Sequence, residues 1–195
     1  MFQPKHVANA RHRKAKPMSD FYNKTLLMVR RLLPYVLLFL IAQFAIRLTL
    51  AIYSRASLTT VADWLLPFAT GFLFDVSVVL MALPVLLVFP TLLPKSWAGG
   101  RLDRSVAFGA FAILAFLMIF QGISEYFFWD EFTTRFNFIA VDYLIYTQEV
   151  LANILESYPV VPLLGLAAGL SLAIAWLSRK SLFGGLHQLP RLGSR

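Results

Sequence analysis

Long apolar stretches alternate along this chain with short segments that hold most of its charge. Residues 32–53, 64–93, 106–123 and 160–177 are apolar almost throughout. A helix of about 20 residues rises about 30 Å, the thickness of a bilayer's hydrocarbon layer. Each stretch therefore predicts a membrane-spanning helix, and the fold expected is all-α, a polytopic membrane helix bundle over residues 32–178. Pro67, Pro84 and Pro90 fall inside the second stretch and predict tilt or a kink there. Residues 1–31 carry no sustained apolar period and read as a basic arm, disordered or loosely held at the membrane surface. The Pro94–Ser105 linker is broken by Gly99-Gly100, and residues 179–195 form a basic tail.

One segment has a different pattern. Between spans three and four, Phe132, Phe136, Ile139, Tyr143, Tyr146, Val150, Ile154 and Tyr158 recur at steps of three and four, the period of one helix face. Arg135, Asp142, Glu149 and Glu156 recur every seven residues and predict a second, charged stripe. The expectation is one amphipathic helix over about 130–157, too charged to cross lipid. Its acidic stripe differs from the Lys- and Arg-rich face of a lipid-binding helix. Two readings of it stand side by side: a solvated face covering the rim of the bundle, or a docking surface for an extracytoplasmic domain or a substrate headgroup.

Composition agrees with lipid as the solvent. Of 195 residues, 58% are hydrophobic and 14% charged, where soluble chains carry about 25% charged residues. The net charge of +8 does not point to nucleic acid, because no module of interleaved basic and aromatic residues accompanies it. The charge instead sets topology. Fifteen of the 18 basic residues fall in the arm, the linker after span two and the tail. The positive-inside bias places all three segments, and so both termini, in the cytoplasm, with the amphipathic helix outside. The compartment expected is a membrane bordering the cytoplasm, with membrane lipids as the first partners.

Candidate chemistry is sparse. The chain has no cysteine, and His6, His12 and His187 all lie in the terminal tails, so thiolate and histidine metal sites are not expected. Glu125, Asp130 and Glu131 cluster near the end of span three without a further ligand set. No nucleophile–base pair or phosphate-binding loop is found, and no catalytic, cofactor or metal residue is assigned. Arg47 and Asp75 lie inside spans one and two, where an ionisable group normally faces the bundle interior with a partner. The depths match closely enough for an Arg47–Asp75 ion pair. The alternative is Arg47 extending to the nearer membrane surface on its own. Gly165 and Gly169 form a GxxxG pattern in span four, expected to serve packing within the bundle rather than between copies.

Residues 125–159 also carry a resemblance. Glu125-Tyr126-Phe127, Arg135 to Thr147, Glu149-Val150, Asn153-Ile154 and Glu156 to Pro159 form a run similar to one in lipoteichoic-acid-synthase-like phosphoglycerol transferases, of the sulfatase and alkaline phosphatase superfamily. Phe74-Asp75, with Gly71 just before, also resembles that family. The resemblance spans roughly residues 30–180. It implies a membrane bundle of usually five spans followed by an extracytoplasmic α/β domain, which holds a divalent metal such as Mn²⁺ and a Thr or Ser nucleophile. The sequence stops before a fifth span and that domain, so no nucleophile or metal ligand carries over. The function expected is a membrane-anchor and docking module, inactive by itself, with an extracytoplasmic catalytic domain as its partner. The alternative is a self-contained four-span scaffold or transporter subunit.

Overall fold

The computed structural model describes residues 6–92, 100–138, 141 and 147–184. The described residues are helical apart from short connections. Helix α1 runs His6–Tyr53, a 3-10 turn follows at Arg55–Ser57, and α2 runs Val61–Leu92. Helix α3 runs Arg101–Phe132, α4 Thr147–Ser157 and α5 Val160–Gly184. Four of these contain stretches long and apolar enough to cross a membrane: Val29–Tyr53, Val61–Val88, Arg101–Phe132 and Val160–Gly184. The chain is a multi-pass membrane protein.

The helices outrun the apolar stretches that announce them. Residues 6–31, expected to be an irregular arm, are the first turns of α1. Alanine, lysine, arginine and methionine are strong helix formers there, and Pro17 does not end the helix. The linker also yields its second half to α3, which starts at Arg101. Helix α2 continues through all three of its prolines and begins with a reciprocal cap. The Asp63 N–H donates to Thr60 Oγ1 at 3.2 Å, and the Thr60 N–H donates to Asp63 Oδ2 at 2.8 Å.

Side-chain pairing shows how the helices run. Arg31 bonds Asp103, the Tyr35 hydroxyl donates to the Ala107 carbonyl at 2.8 Å, Gln43 donates to Gln121 at 3.3 Å, and Tyr53 reaches Asp130. The sequence offset stays between 72 and 78 along these pairs, so α1 and α3 run parallel. One end of the bundle therefore gathers Arg31, the start of α3 and the end of α5, where Phe183 packs with Tyr35 and Phe108 around Phe111 and Leu182. The other end gathers Tyr53, the end of α3 and the start of α5. The first end is rimmed by Arg101 and Arg104; the second is acidic and aromatic.

Small residues hold α3 against α5. Ala107, Ala112 and Ala115 of α3 and Ala167, Ser171 and Ala175 of α5 are buried, the latter three spaced four residues apart on one face. Apolar side chains gain nothing by leaving lipid for protein, so close backbone approach and dispersion provide the attraction. The GxxxG pair takes no part: a Cβ built on Gly165 or Gly169 meets nothing within 4 Å. This corrects the expectation that the glycines pack the bundle, because the buried face of α5 is set by Ala167, Ser171 and Ala175. Ala175→Leu is expected to destabilise the bundle by about 1–3 kcal/mol through overpacking. Gly169→Ala is expected to change stability by less than about 0.5 kcal/mol. Unfolding in mixed detergent micelles measures both, and equal losses would remove the seam from this role.

Candidate functional site

Among the described residues, three arginine–carboxylate pairs tie the bundle together, and they lie at different depths. Helix α3 supplies two of the carboxylates. Asp103 and Glu125 are the two largest fully buried side chains among the described residues. They stand 22 residues apart, about 33 Å along the helix, so one lies near each face of the hydrocarbon layer. Arg31 of α1 holds Asp103 through both carboxylate oxygens. Arg135 holds Glu125 through its Nε.

The third pair is inside the membrane. Arg47 Nη2 donates to Asp75 Oδ1 at 2.8 Å and to Oδ2 at 2.7 Å, with the two residues 8% and 7% exposed. Arg47 sits six residues from the end of α1, about 9 Å of rise, whereas Asp75 is fourteen residues into α2, about 21 Å. The guanidinium thus reaches away from the nearer membrane surface and toward the interior. A Cα–Cβ bond tilted toward the helix N-terminus starts the side chain in that direction. Extension of Arg47 to the surface, the alternative read from the sequence, does not occur. Gly71 makes the space: a Cβ built there would come within 2.5 Å of the Arg47 Cζ. Arg47 Nε is buried without a hydrogen-bond partner, so carboxylate contact is concentrated on one nitrogen.

Other polar side chains inside the spans are satisfied nearby. Thr49, Thr70 and Ser77 each donate to the carbonyl four residues earlier on their own helix. Ser171 donates to the Ala168 carbonyl at 2.8 Å.

The segment after α3 departs from its sequence pattern. A single amphipathic helix over 130–157 does not form. Helix α3 continues to Phe132 and stops where Thr133 adopts left-handed backbone, φ 52°, with its N–H donating to the Trp129 carbonyl at 2.8 Å. A β-branched residue in that conformation costs about 1–2 kcal/mol. The turn it makes brings Arg135 back onto Glu125, and Phe136 onto Phe128 at 4.9 Å between ring centres. Arg135 therefore lies off any helix and leaves the charged stripe proposed for it. Glu149 and Glu156 fall on α4, with Glu156 exposed, and Asp142 lies outside the described residues. A seven-residue repeat registers helical phase only where the helix is unbroken, and a buried carboxylate needing a cation outweighs the repeat.

Asp130 and Glu131 do not converge with Glu125. The Tyr53 hydroxyl donates to Asp130 Oδ1 at 2.5 Å, and Tyr158 lies near the charges of Glu131 and Asp130. Desolvation, then the nearby charges of Glu131 and Asp130, hold the Tyr158 pKa above its usual value, so the phenol stays protonated. Rings connect these groups: Tyr53 meets Tyr126 edge-on at 5.6 Å, and Phe127 meets Tyr158 at 4.2 Å. Among the described residues no three His, Cys, Asp or Glu side chains stand close enough to share a metal ion.

Sequence reasoning named Arg47, Asp75 and Arg135. It missed that Glu125 is the partner of Arg135, and that Asp103 is buried at the opposite end. An acid at the very end of a long apolar run was the available signal for Glu125. Asp103 had none, because it lies in a segment that reads as a linker.

Comparison with protein-family models, curated proteins and solved structures finds no match.

Proposed function

We propose that this chain is the membrane-anchor and docking module of a sulfatase-like phosphoglycerol transferase, without catalytic activity of its own. The observation that carries the reading is the Glu125–Pro159 run, whose resemblance to those transferases begins at the buried carboxylate that anchors it. Glu125 and Arg135, both within the resembling residues, are the pair that folds the run back on the bundle. Such a platform would hold a catalytic domain beside lipid headgroups and raise its effective concentration there. The intramembrane charges, which would best suit a transporter, are engaged with each other.

The same proposal sets the orientation. The end rimmed by Arg101 and Arg104 faces the cytoplasm of a bacterium, and the acidic, aromatic end faces outward. The lack of cysteine makes the orientation simple to test. Single cysteines at Ser57, Ser157 and Ser181, all exposed, are exposed to a membrane-impermeant maleimide on spheroplasts. S57C and S157C are expected to react and S181C to remain protected; the opposite pattern rejects the orientation. The function is tested at the chromosomal locus by reading across codon 195. A frame continuing into a further span and a hydrolase domain is the expected result. A stop with no such domain nearby removes the anchor reading.

A further inference from the structure

An open apolar groove runs along the bundle between α1 and α3. Its walls include Ala42, Ala45 and Ile46 of α1 and Met118, Gly122 and Tyr126 of α3, and its volume is about 320 Å³. On α1 it extends from Leu38 to Leu50, about 18 Å of helix rise. That length is close to one leaflet, half of a hydrocarbon layer about 30 Å thick. Small residues on both walls keep it open, and almost nothing polar lines it. The groove ends at Tyr126, whose ring meets Tyr53, whose hydroxyl in turn bonds Asp130.

The mouth is negatively charged. Asp130 and the adjacent Glu131 are exposed, and neither forms an ion pair among the described residues. The bond to Asp130 comes from the neutral Tyr53 phenol, which positions the carboxylate without cancelling its charge. Arg135, the basic residue of the adjoining turn, is engaged with Glu125. An amine at the headgroup level is attracted to such a mouth. A headgroup of net negative charge is repelled by it, and repulsion of the wrong ligand contributes as much to selectivity as attraction of the right one.

We propose that this groove is a binding site for one phospholipid of the adjoining leaflet, with an acyl chain between α1 and α3 and an ethanolamine ammonium at Asp130 and Glu131. Chain length matches groove length, and headgroup charge matches the mouth. Neither match depends on which side of the membrane the mouth faces, nor on the function proposed above.

The test uses the full chain in nanodiscs containing ethanolamine and glycerol phospholipids, with a photoactivatable diazirine on the acyl chain of one or the other. Crosslinks are mapped by peptide mass spectrometry. The ethanolamine probe is expected to label residues 38–50 and 115–126 about two- to fivefold more than the glycerol probe, the range for exposed charge pairs. Ala45→Trp, an exposed position whose larger side chain fills the groove, is expected to reduce that labelling several-fold. Leu66→Trp, on the lipid-facing side of α2, is expected to leave it unchanged. Thr49→Phe repeats the block should A45W fail to fold. The double variant D130N/E131Q is expected to abolish the preference between headgroups while keeping acyl labelling. Equal labelling of the groove and α2, insensitivity to both blocking variants, or a preference for the glycerol headgroup would each overturn the site.

Discussion

Asp75→Asn is expected to lower the stability of the folded bundle by about 3–5 kcal/mol, the cost of leaving one member of a buried ion pair without its partner. The reason is the depth at which Arg47 is held. Its guanidinium is already turned toward the membrane interior, where Gly71 leaves it room and no second carboxylate among the described residues is bonded to it. An asparagine can accept one hydrogen bond but returns no charge, and an unpaired cation in a helix centre costs about 2.5–3.5 kcal/mol even by insertion scales. The single change should therefore expel Arg47 toward the surface and loosen α2. That helix has few other ties to the bundle, since Leu65, Leu73, Phe74, Met81 and Val85 are all exposed.

Replacing both charges by apolar residues of similar size, R47M with D75L, should restore most of the loss, because buried pairs are commonly neutral or unfavourable relative to well-packed apolar substitutes. Gly71→Val acts on the same contact from the other side, since its side chain would occupy the guanidinium's place. Unfolding in mixed micelles, run on the single and double variants, measures the coupling. Additive losses would mean that the two charges are independently accommodated.

The second large effect is an asymmetry at the other end of α3. Arg135→Gln is expected to cost about 3 kcal/mol or more, while Glu125→Gln should cost clearly less. Glu125 is 1% exposed, its Oε2 has no hydrogen-bond partner among the described residues, and the bond it receives from them is that from Arg135. Removing the arginine leaves a carboxylate desolvated with nothing to balance it. Removing the carboxylate is different, because the Arg135 side chain is 42% exposed and can turn to water. Thermal unfolding in detergent compares the two variants, and hydrogen exchange over residues 133–138 reports whether the turn stays docked. Equal losses, or a larger one for E125Q, would show that the arginine rather than the carboxylate is the desolvated member.

Much of the architecture was legible because lipid imposes simple rules. A backbone in hydrocarbon must satisfy its own hydrogen bonds, so any apolar run of sufficient length is a helix. That rule located four helices, though not their ends, which advance into charged sequence wherever helix formers continue. Arg47 and Asp75 were found for a related reason. A charge inside a span is expensive enough that a partner at matching depth is the natural inference.

The rest depended on direction and phase. Periodicity over 130–157 registered an intact helix, but Thr133 interrupts it and sends Arg135 backward to Glu125. Local pattern cannot register such a fold-back, because the residue that demands it precedes the pattern. The glycine pair of α5 failed similarly: a motif states that close approach is permitted, not which face is used.

What the sequence by itself determined is the solvent, the helical class and the separation of a basic end from an acidic, aromatic one. These follow from transfer free energies, which sum residue by residue along the chain. Only the tertiary structure decided that Glu125 and Asp103 are buried, that Arg47 reaches inward past Gly71, and that α3 meets α5 through alanine and serine. Those outcomes turn on which side chains come within a few ångströms of one another, and short-range contact is a property of packed helices rather than of any one segment.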